Sequence, residues 1–236
     1  QKSKKVENWL NDKNQKPHNH TPSTIYHKPI NFPAISLVAS GGHTELFLME
    51  SEKKLKWLGG TLDDAAGECF DKTARLLGFG NRGGLAIQEA AEKFRMLNAR
   101  LAQASAKRAK CQIILPRPMM HDNSLNFSFS GLKTAVLREV NTIKLNQQFD
   151  ESTINTLAYE IQEAITDVLV TKTIKAAEMY NAQSILISGG VAANTRLRQK
   201  FNIHHSAFSI YIPPAQLCTD NAVTIVCHED GFDHRL

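Results

Sequence analysis

The sequence predicts an α/β fold, because a strand meander is followed by long helices and then by alternating strands and helices. The 236 residues are 42% hydrophobic and 22% charged, with a mean hydropathy of −0.30. That length suits one large domain or two small ones. No apolar run approaches the roughly 18 residues that a membrane span needs, so we expect no membrane partner.

Apolar periodicity and turn residues place each element along the chain. After Pro33, an apolar run, the turn at Gly41-Gly42 and an alternating run predict a hairpin, which a third strand continues. The predicted strands are 34–39, 43–49, 55–58, 113–115, 184–187 and 208–212. The predicted helices are 65–77, 86–108, one from Leu132, 154–180, 192–200 and one from Thr219 to about residue 228. We expect residues 61–64 to cap the first helix.

Residues 1–30 mix Lys, Asn, His and Pro without sustained apolar periodicity, which predicts a flexible arm or a long insertion. The net charge of the chain is +5, and residues 1–28 contribute +4, with six Lys against one Glu and one Asp. The body is therefore not a broadly basic nucleic-acid binder, although a local basic face stays open. The lysines of the arm fit either contact with RNA or a solvated tail.

The four cysteines, Cys69, Cys111, Cys218 and Cys227, are widely spaced and form no C-x-x-C pair. This spacing argues against a disulfide framework and a thiolate zinc site, and it favours a reducing, cytoplasmic compartment. No apolar segment follows the N-terminal lysines, so a secretory signal is not expected. The first residue is Gln1 rather than Met, which indicates a fragment or a trimmed chain.

Two glycine motifs are candidates for anion binding. At the hairpin tip, Ser40-Gly41-Gly42-His43-Thr44 combines exposed backbone N–H groups with hydroxyl and imidazole donors, which suits a phosphate. A polar hairpin turn without a ligand is the alternative. In the second motif, residues 187–194, an apolar strand runs through Gly189-Gly190 into a helix start with Asn194. That junction predicts a nucleotide site, or else an ordinary strand-to-helix connection.

Acidic residues form two further candidates. Asp64, Glu68 and Asp71 recur at helical spacing, so they could share one face and hold ribose hydroxyls, a metal or a proton. A solvated acidic face is the alternative. Asp220, in Cys218-Thr219-Asp220-Asn221, is either a metal ligand or part of a helix cap. The histidines of the arm lack the rigid spacing that a metal site needs.

Five segments, in this order, closely resemble the family of TsaD, the tRNA threonylcarbamoyladenosine biosynthesis protein once described as an O-sialoglycoprotein endopeptidase. They are SGGHTEL, TLDDAAGECFDKTARLLG, NFSFSGLKTAV, ISGGVAANTRLR and CTDNA. The resemblance covers about residues 32–228. It implies the two-lobed ASKHA fold of actin, sugar kinases and heat-shock chaperones, with residues 31–236 forming mainly the second lobe. It also implies transfer of threonylcarbamoyl from threonylcarbamoyl-AMP to N6 of the tRNA adenosine 3′ of the anticodon.

The resemblance also assigns site residues. The family's substrate loop falls on Val38, Ala39, Ser40, Gly41 and Gly42. Its other substrate contacts fall on Asp71, Gly84 and Asn194, and its metal-binding aspartate falls on Asp220. The implied cofactor is one divalent metal, iron in first place and zinc as the alternative, completed by histidines outside this chain. The implied partners are tRNA, the adenylate threonylcarbamoyl-AMP, a TsaB-like paralogue and a TsaE-like ATPase.

Departures from the family pattern bear on activity. The region just upstream of residue 32 has no H-x-x-x-H motif, and the first lobe with its own phosphate loop is missing from the sequence. We therefore expect a partial chain of the enzyme. The open alternatives are a noncatalytic nucleotide-binding or scaffold paralogue of the same fold, and a carbohydrate or acetate kinase of the same superfamily. The motif set argues against the kinase.

Overall fold

The computed structural model describes residues 30–80, 83–103 and 113–218. Their fold is α/β, with a five-stranded sheet in the order β3-β2-β1-β4-β5. The strands are β1 Ala34–Ala39, β2 Thr44–Ser51, β3 Lys54–Gly60, β4 Ser184–Ser188 and β5 Ser209–Tyr211. The helices are α1 Ala66–Leu76, α2 Gly83–Gln103, α3 Ser130–Leu145, α4 Glu151–Met179 and α5 Thr195–Asn202, and two 3₁₀ turns span Gly190–Ala193 and Ala215–Leu217.

The sheet combines an antiparallel meander with a parallel half. β1 pairs with β2 and β2 with β3 in antiparallel fashion, which confirms the predicted hairpin and third strand. β4 then pairs in parallel with β1, and β5 with β4. Because parallel strands end at the same edge of a sheet, β1 and β4 deliver the residues that follow them to one place.

The core lies between the sheet and the long helices. Ile35 and Leu37 of β1 sit beside Ile185 and Ile187 of β4 in the parallel register, and all four are buried. They belong to one apolar cluster with α4, whose buried residues run along most of its 29 residues. A helix that is apolar on several faces is a central helix of the fold, so α4 supports both the sheet and the helices α2 and α5.

Two predicted elements differ from the structure. The predicted strand 113–115 is extended coil, because the N–H of Leu115 donates to Oε1 of Glu160 on α4 (3.3 Å) instead of to a neighbouring strand. The predicted helix 192–200 is divided, with a 3₁₀ turn at Gly190–Ala193 before α5. The division follows from Asn194, whose extended backbone lets it act as the N-cap of α5.

Residues 61–64 were expected to cap α1, and that prediction is wrong. The N–H of Ala66 instead donates to Oγ1 of Thr44 at the end of the hairpin (2.8 Å). Asp63 caps a different helix, since its carboxylate accepts from the backbone N–H groups of Phe129 (2.7 Å) and Ser130 (3.2 Å) at the start of α3. A cap supplied from a distant segment leaves no local sequence pattern, which is why the prediction failed.

Some predictions concern residues outside the described ranges. These are the arm up to residue 29, the helix from Thr219 with Asp220, and the cysteines Cys111 and Cys227. Among the helices within the described ranges, none combines the length and the apolar character that crossing a bilayer requires.

Candidate nucleotide site

The parallel pairing of β1 with β4 brings the two glycine turns together. Val38 lies opposite Ser188 in the register, so each turn leaves the sheet at the same edge. At Gly189 the two chains are in close contact, because a Cβ atom there would lie 2.3 Å from the carbonyl oxygen of Ala39. Gly189 also has φ 88° and ψ 167°, a region essentially restricted to glycine.

A cavity of about 300 Å³ opens where these turns meet. Gly41 of the hairpin turn and Gly190 of the second turn both line it, together with Asp71, Gly84 and Asn194. A Cβ atom added at Gly41 or at Gly190 would meet nothing within 4 Å, so both backbones face open space. The structure thus brings four of the predicted site residues to one cavity whose volume suits a small molecule.

Helix α1 packs directly on the hairpin turn. The N–H of Gly67 donates to the carbonyl oxygen of Ser40 (3.0 Å), and a Cβ atom at Gly67 would lie 2.5 Å from that oxygen. Only glycine permits this approach, which fixes the turn and places Asp71, one helical turn further on, at the cavity. Phe70, the residue before Asp71, is buried and also lines the cavity.

A further glycine pair, Gly83-Gly84, begins α2 against α1. Gly83 has φ 38°, and a Cβ atom there would lie 1.7 Å from Oδ1 of Asp71. Gly83 therefore makes room for the Asp71 carboxylate. At Gly84, the predicted contact residue, a Cβ atom would touch only the Phe70 side chain at 3.7 Å. The position that requires glycine is therefore Gly83, one residue before the predicted contact.

Asn194 closes the cavity on the side of α5. Its Oδ1 accepts from the N–H of Leu197 (3.0 Å), and its Nδ2 donates to Oε1 of Gln162 (3.1 Å). Gln88 of α2 accepts from the N–H of Thr195 (2.8 Å) and also lines the cavity. Side chains thus occupy two of the first three N–H groups of α5, so these two N–H groups are not available to an anion.

The remaining residues of the predicted substrate loop build the turn. Oγ of Ser40 accepts from the N–H groups of Gly42 (3.3 Å) and His43 (3.0 Å), so the hydroxyl oxygen holds the hairpin turn in shape. Thr44 is completely buried as the cap of α1 and is not available to a ligand. Val38 and Ala39 are strand residues of β1, and neither side chain lines the cavity.

The acidic residues of the α1 segment do not share one site. Lys72 forms ion pairs with Asp64 (2.6 Å) and Glu68 (2.8 Å), which leaves Asp71 as the member of the group that faces the cavity. Hydrogen bonding to Lys72 lowers the pKa of Glu68. Burial, followed by the charges of Asp64 and Asp63, raises the pKa of Cys69 to about 12, so this thiol is neutral and not a nucleophile.

Buried ion pairs fix α5 against α4 behind the cavity. Glu163 accepts from Nε (2.6 Å) and Nη2 (2.9 Å) of Arg196 and pairs with Lys200 (3.1 Å). Burial is the largest influence on Glu163 and acts to raise its pKa, but the two cations outweigh it and hold that pKa below its usual range. The charged network therefore keeps the start of α5 in place.

One metal ligand was predicted in this chain, Asp220, and it lies outside the described ranges. Within residues 30–80, 83–103 and 113–218, no group of three or more His, Cys, Asp or Glu side chains could hold a metal ion. The described residues therefore do not form a metal site by themselves, and the metal stays a prediction.

Several cavity residues were absent from the prediction. Gln88 stands one helical turn after Gly84 on α2, so helical periodicity from Gly84 could have indicated it. Gly67 and Gly190 lay in motifs that the sequence singled out, but nothing in the sequence separates their roles from those of their neighbours. Phe70 and Val191 have the sequence pattern of core residues, because an apolar side chain at a cavity wall shows the same hydrophobic periodicity as one in the core.

Two glycine turns around one cavity, at the carboxyl ends of parallel strands, are the arrangement that open α/β folds use to bind small ligands. The family model of TsaD, described as tRNA N6-adenosine threonylcarbamoyltransferase, matches residues 17–227. The chain belongs to this family. The match bears out the resemblance seen in the five sequence segments.

Curated relatives agree with the family match. A tRNA N6-adenosine threonylcarbamoyltransferase of Syntrophomonas wolfei is 43% identical over 89% of this chain and 59% of its own length. Proteins of the same name from Persephonella marina and Bacillus subtilis are 40% and 42% identical, over 94% and 82% of this chain and 60% and 52% of their own lengths. The chain thus spans between half and three fifths of these relatives.

Proposed function

We propose that this chain acts in the synthesis of threonylcarbamoyladenosine in tRNA, as part of an enzyme that transfers a threonylcarbamoyl group from threonylcarbamoyl-AMP to N6 of the adenosine 3′ of the anticodon. The observation that carries the proposal is the convergence of Gly41, Asp71, Gly84 and Asn194 on one cavity. These residues come from four separate segments, and the family resemblance had assigned all of them to the substrate.

Each wall of the cavity offers chemistry that suits an adenylate. The backbone at Gly41 and at Gly190 lies open, so phosphate oxygens can approach main-chain N–H groups without a side chain between them. The Asp71 carboxylate is an acceptor for ribose hydroxyl groups. Phe70 supplies an aromatic surface, and Asn194 supplies an amide N–H.

In the proposed reaction, N6 of adenosine attacks the carbamoyl carbon of the mixed anhydride. The new bond joins N6 to that carbon, the bond from the carbon to the phosphate oxygen breaks, AMP leaves with the bonding electrons, and N6 loses a proton. In this scheme the described residues bind and orient the adenylate. Positioning of this kind contributes strongly to rate when two reactants must meet in one geometry.

We propose that residues 31–236 form mainly the second lobe of the two-lobed ASKHA fold, with the adenylate at the edge of the sheet. The proposed partners are tRNA, a TsaB-like paralogue and a TsaE-like ATPase, as the family implies. The proposed compartment is the cytoplasm, in line with the cysteine pattern.

We also propose Asp220 as one ligand of a divalent metal, iron before zinc, with histidines supplied from outside this sequence. A carboxylate and two imidazoles form a donor set that suits such ions. When bound, the metal would supply Lewis-acid polarisation and orientation of the substrate. Because one carboxylate holds a metal weakly, this chain alone should bind iron or zinc weakly, and micromolar binding lost in Asp220→Ala would contradict that expectation.

Calorimetric titration of the chain with AMP tests the adenylate site. Gly190→Val should weaken binding at least tenfold, because Gly190 lines the cavity and a Cβ atom there meets nothing within 4 Å, so the valine side chain has room to project into the space of the ligand. Gly131→Val is the matched control, since Gly131 also has room for a Cβ atom but lies on α3 away from the cavity.

Equal AMP affinity in the chain and in Gly190→Val, with both proteins folded, would contradict the adenylate site. The noncatalytic alternative shares the nucleotide site, so it needs a separate assay. Transfer of labelled threonylcarbamoyl to tRNA by this chain, supplemented with the proposed partners, distinguishes an enzyme from a scaffold. The relatives' shared name of transferase does not favour the scaffold.

A further inference from the structure

The side-chain amide of Asn194 has only one possible orientation. Oδ1 of Asn194 lies 3.0 Å from the backbone nitrogen of Leu197, which can only donate a hydrogen bond. The atom facing Leu197 must therefore be the amide oxygen. Nδ2 then points to the opposite side, where it lies 3.1 Å from the side chain of Gln162.

This orientation determines the neighbouring residue as well. Because Nδ2 of Asn194 can only donate, the Gln162 atom that meets it must be the acceptor Oε1. Gln162 is 2% exposed and Asn194 is 8% exposed, so water has little access to the hydrogen bond that joins them. The N–H of Leu197 thus determines the orientation of the Asn194 amide, and the Asn194 amide in turn determines the orientation of the Gln162 amide. Asn194 is held by two contacts, one with Leu197 and one with Gln162.

Asn194 has a second N–H on Nδ2 besides the one that Gln162 accepts. Its NH₂ group carries two protons, Gln162 accepts one of them, and Asn194 lines the cavity. We propose that Gln162 is a positioning residue, which locks Asn194 so that it presents a hydrogen-bond donor to an acceptor atom of the bound nucleotide. This inference rests on the proposed adenylate site and specifies how that site reads an oxygen or a ring nitrogen of its ligand.

The contact is separable from the packing of the two helices. Glu163, next to Gln162 on α4, bonds Arg196 of α5 at 2.6 and 2.9 Å, and Lys200 bonds Thr166 at 2.8 Å. These bonds hold α4 against α5 without Gln162. Replacing Gln162 by Met, which has a similar length and no acceptor oxygen, should therefore leave the helices docked while the Asn194 amide is held by Leu197 alone.

The test titrates the 236-residue chain and its variants with AMP. Gln162→Met should weaken AMP binding roughly tenfold, as expected for loss of one well-placed hydrogen bond. Gln162→Glu should bind close to the unsubstituted chain, because a carboxyl group keeps an acceptor oxygen in either protonation state. If Gln162→Met binds AMP as tightly as the unsubstituted chain, the positioning role is overturned.

A double substitution separates positioning from general packing. Asn194→Ser keeps a good N-cap for α5 but lacks the amide donor. In that background Gln162→Met should cause no further loss of AMP affinity, since there is no amide left to orient. An equal loss in both backgrounds would mean that Gln162 acts through packing alone, and it would overturn the proposal.

A measurement without ligand tests the orientation of Asn194 separately from AMP binding. It uses the unsubstituted chain, so it does not depend on the folding of a variant. In the nuclear magnetic resonance spectrum of the free chain, one Nδ2 proton of Asn194 should exchange slowly with solvent and the other rapidly. Rapid exchange of both protons overturns the positioning role. If AMP fails to bind while one proton stays protected, the adenylate site fails and the orientation of Asn194 stands.

Discussion

Gly189 approaches Ala39 so closely that a Cβ atom added to it would lie 2.3 Å from the Ala39 carbonyl oxygen. This contact joins the ends of β1 and β4, from which the two glycine turns of the cavity start. Gly189 is therefore a structural requirement of the site, although Gly189 does not itself line the cavity.

Gly189→Ala should destabilise the fold by at least about 2 kcal/mol, because the backbone at φ 88° and ψ 167° is essentially restricted to glycine and the added carbon collides with Ala39. Gly190→Ala is the matched control one residue later, where a Cβ atom meets nothing within 4 Å. Urea unfolding of both variants gives the two free energies of unfolding. Equal values would contradict the close contact.

Asp71→Asn should weaken AMP binding by about tenfold or more, since an amide cannot match a carboxylate as an acceptor for ribose hydroxyl groups. Glu68→Gln is the control, because Glu68 lies on the same helix but pairs with Lys72 away from the cavity. Calorimetric titration with AMP compares the two variants. A larger loss in Glu68→Gln would show that the wrong carboxylate has been assigned.

Asp63 should make stability depend on pH. Burial is the largest influence and acts to raise its pKa, but hydrogen bonds from Ser128, Ser130 and the backbone of Phe129 and Ser130 outweigh it and hold the pKa below 3.8. A lowered folded-state pKa stabilises the fold above the unfolded-state pKa, and this contribution is lost as the pH falls through the folded-state pKa.

Asp63→Ala should therefore cost about 1 kcal/mol near neutral pH, as for the loss of a helix cap. The difference in unfolding free energy between Asp63→Ala and the unsubstituted chain should shrink as the pH falls below about 3.8, because the unfolded chain takes up the Asp63 proton there while the native carboxylate, with its lowered pKa, takes it up only at lower pH. Urea titrations at several pH values measure that difference. A difference that stays constant down to the acid limit would remove Asp63 as the charged cap of α3.

Glu163→Leu should destabilise the fold by about 3–5 kcal/mol, because it leaves Arg196 partly buried without its carboxylate. Lys200 also loses this carboxylate and keeps its ion pair with Asp167. Glu151→Ala is the control, since Glu151 forms an exposed pair with Lys93 and its loss should not be measurable. Chemical denaturation compares the two. Similar stability of both variants would mean that the buried pairs do not hold α5 in place.

Local patterns predicted the elements of this fold well. Alternation and apolar runs gave β1, β2 and β4, and helical periodicity gave α1 and α4 within a few residues of their observed bounds. The coil at Leu115 was predicted as a strand because its apolar run is short, and its actual partner, Glu160, comes from a distant part of the chain. Tertiary hydrogen bonds of this kind cannot be seen in a local pattern.

The predictions for the candidate site were also partly correct and partly wrong. Family resemblance brought Gly41, Asp71, Gly84 and Asn194 to attention, and the cavity contains all four. The local interpretation of Thr44 as a ligand donor failed, because a hydroxyl group in a turn has the same sequence signature whether it meets a ligand or a helix N–H. Binding of an adenylate to these residues stays a prediction.

The pairing of β1 with β4 also affects how the chain acquires its function. These strands are neighbours in the sheet, yet α1 to α4 lie between them in sequence. Contacts of such high contact order form slowly, because closing a long loop costs entropy before any stabilising contact is made. We therefore expect AMP to be recognised only in the last kinetic phase of refolding, after the hairpin and its first helix have already assembled.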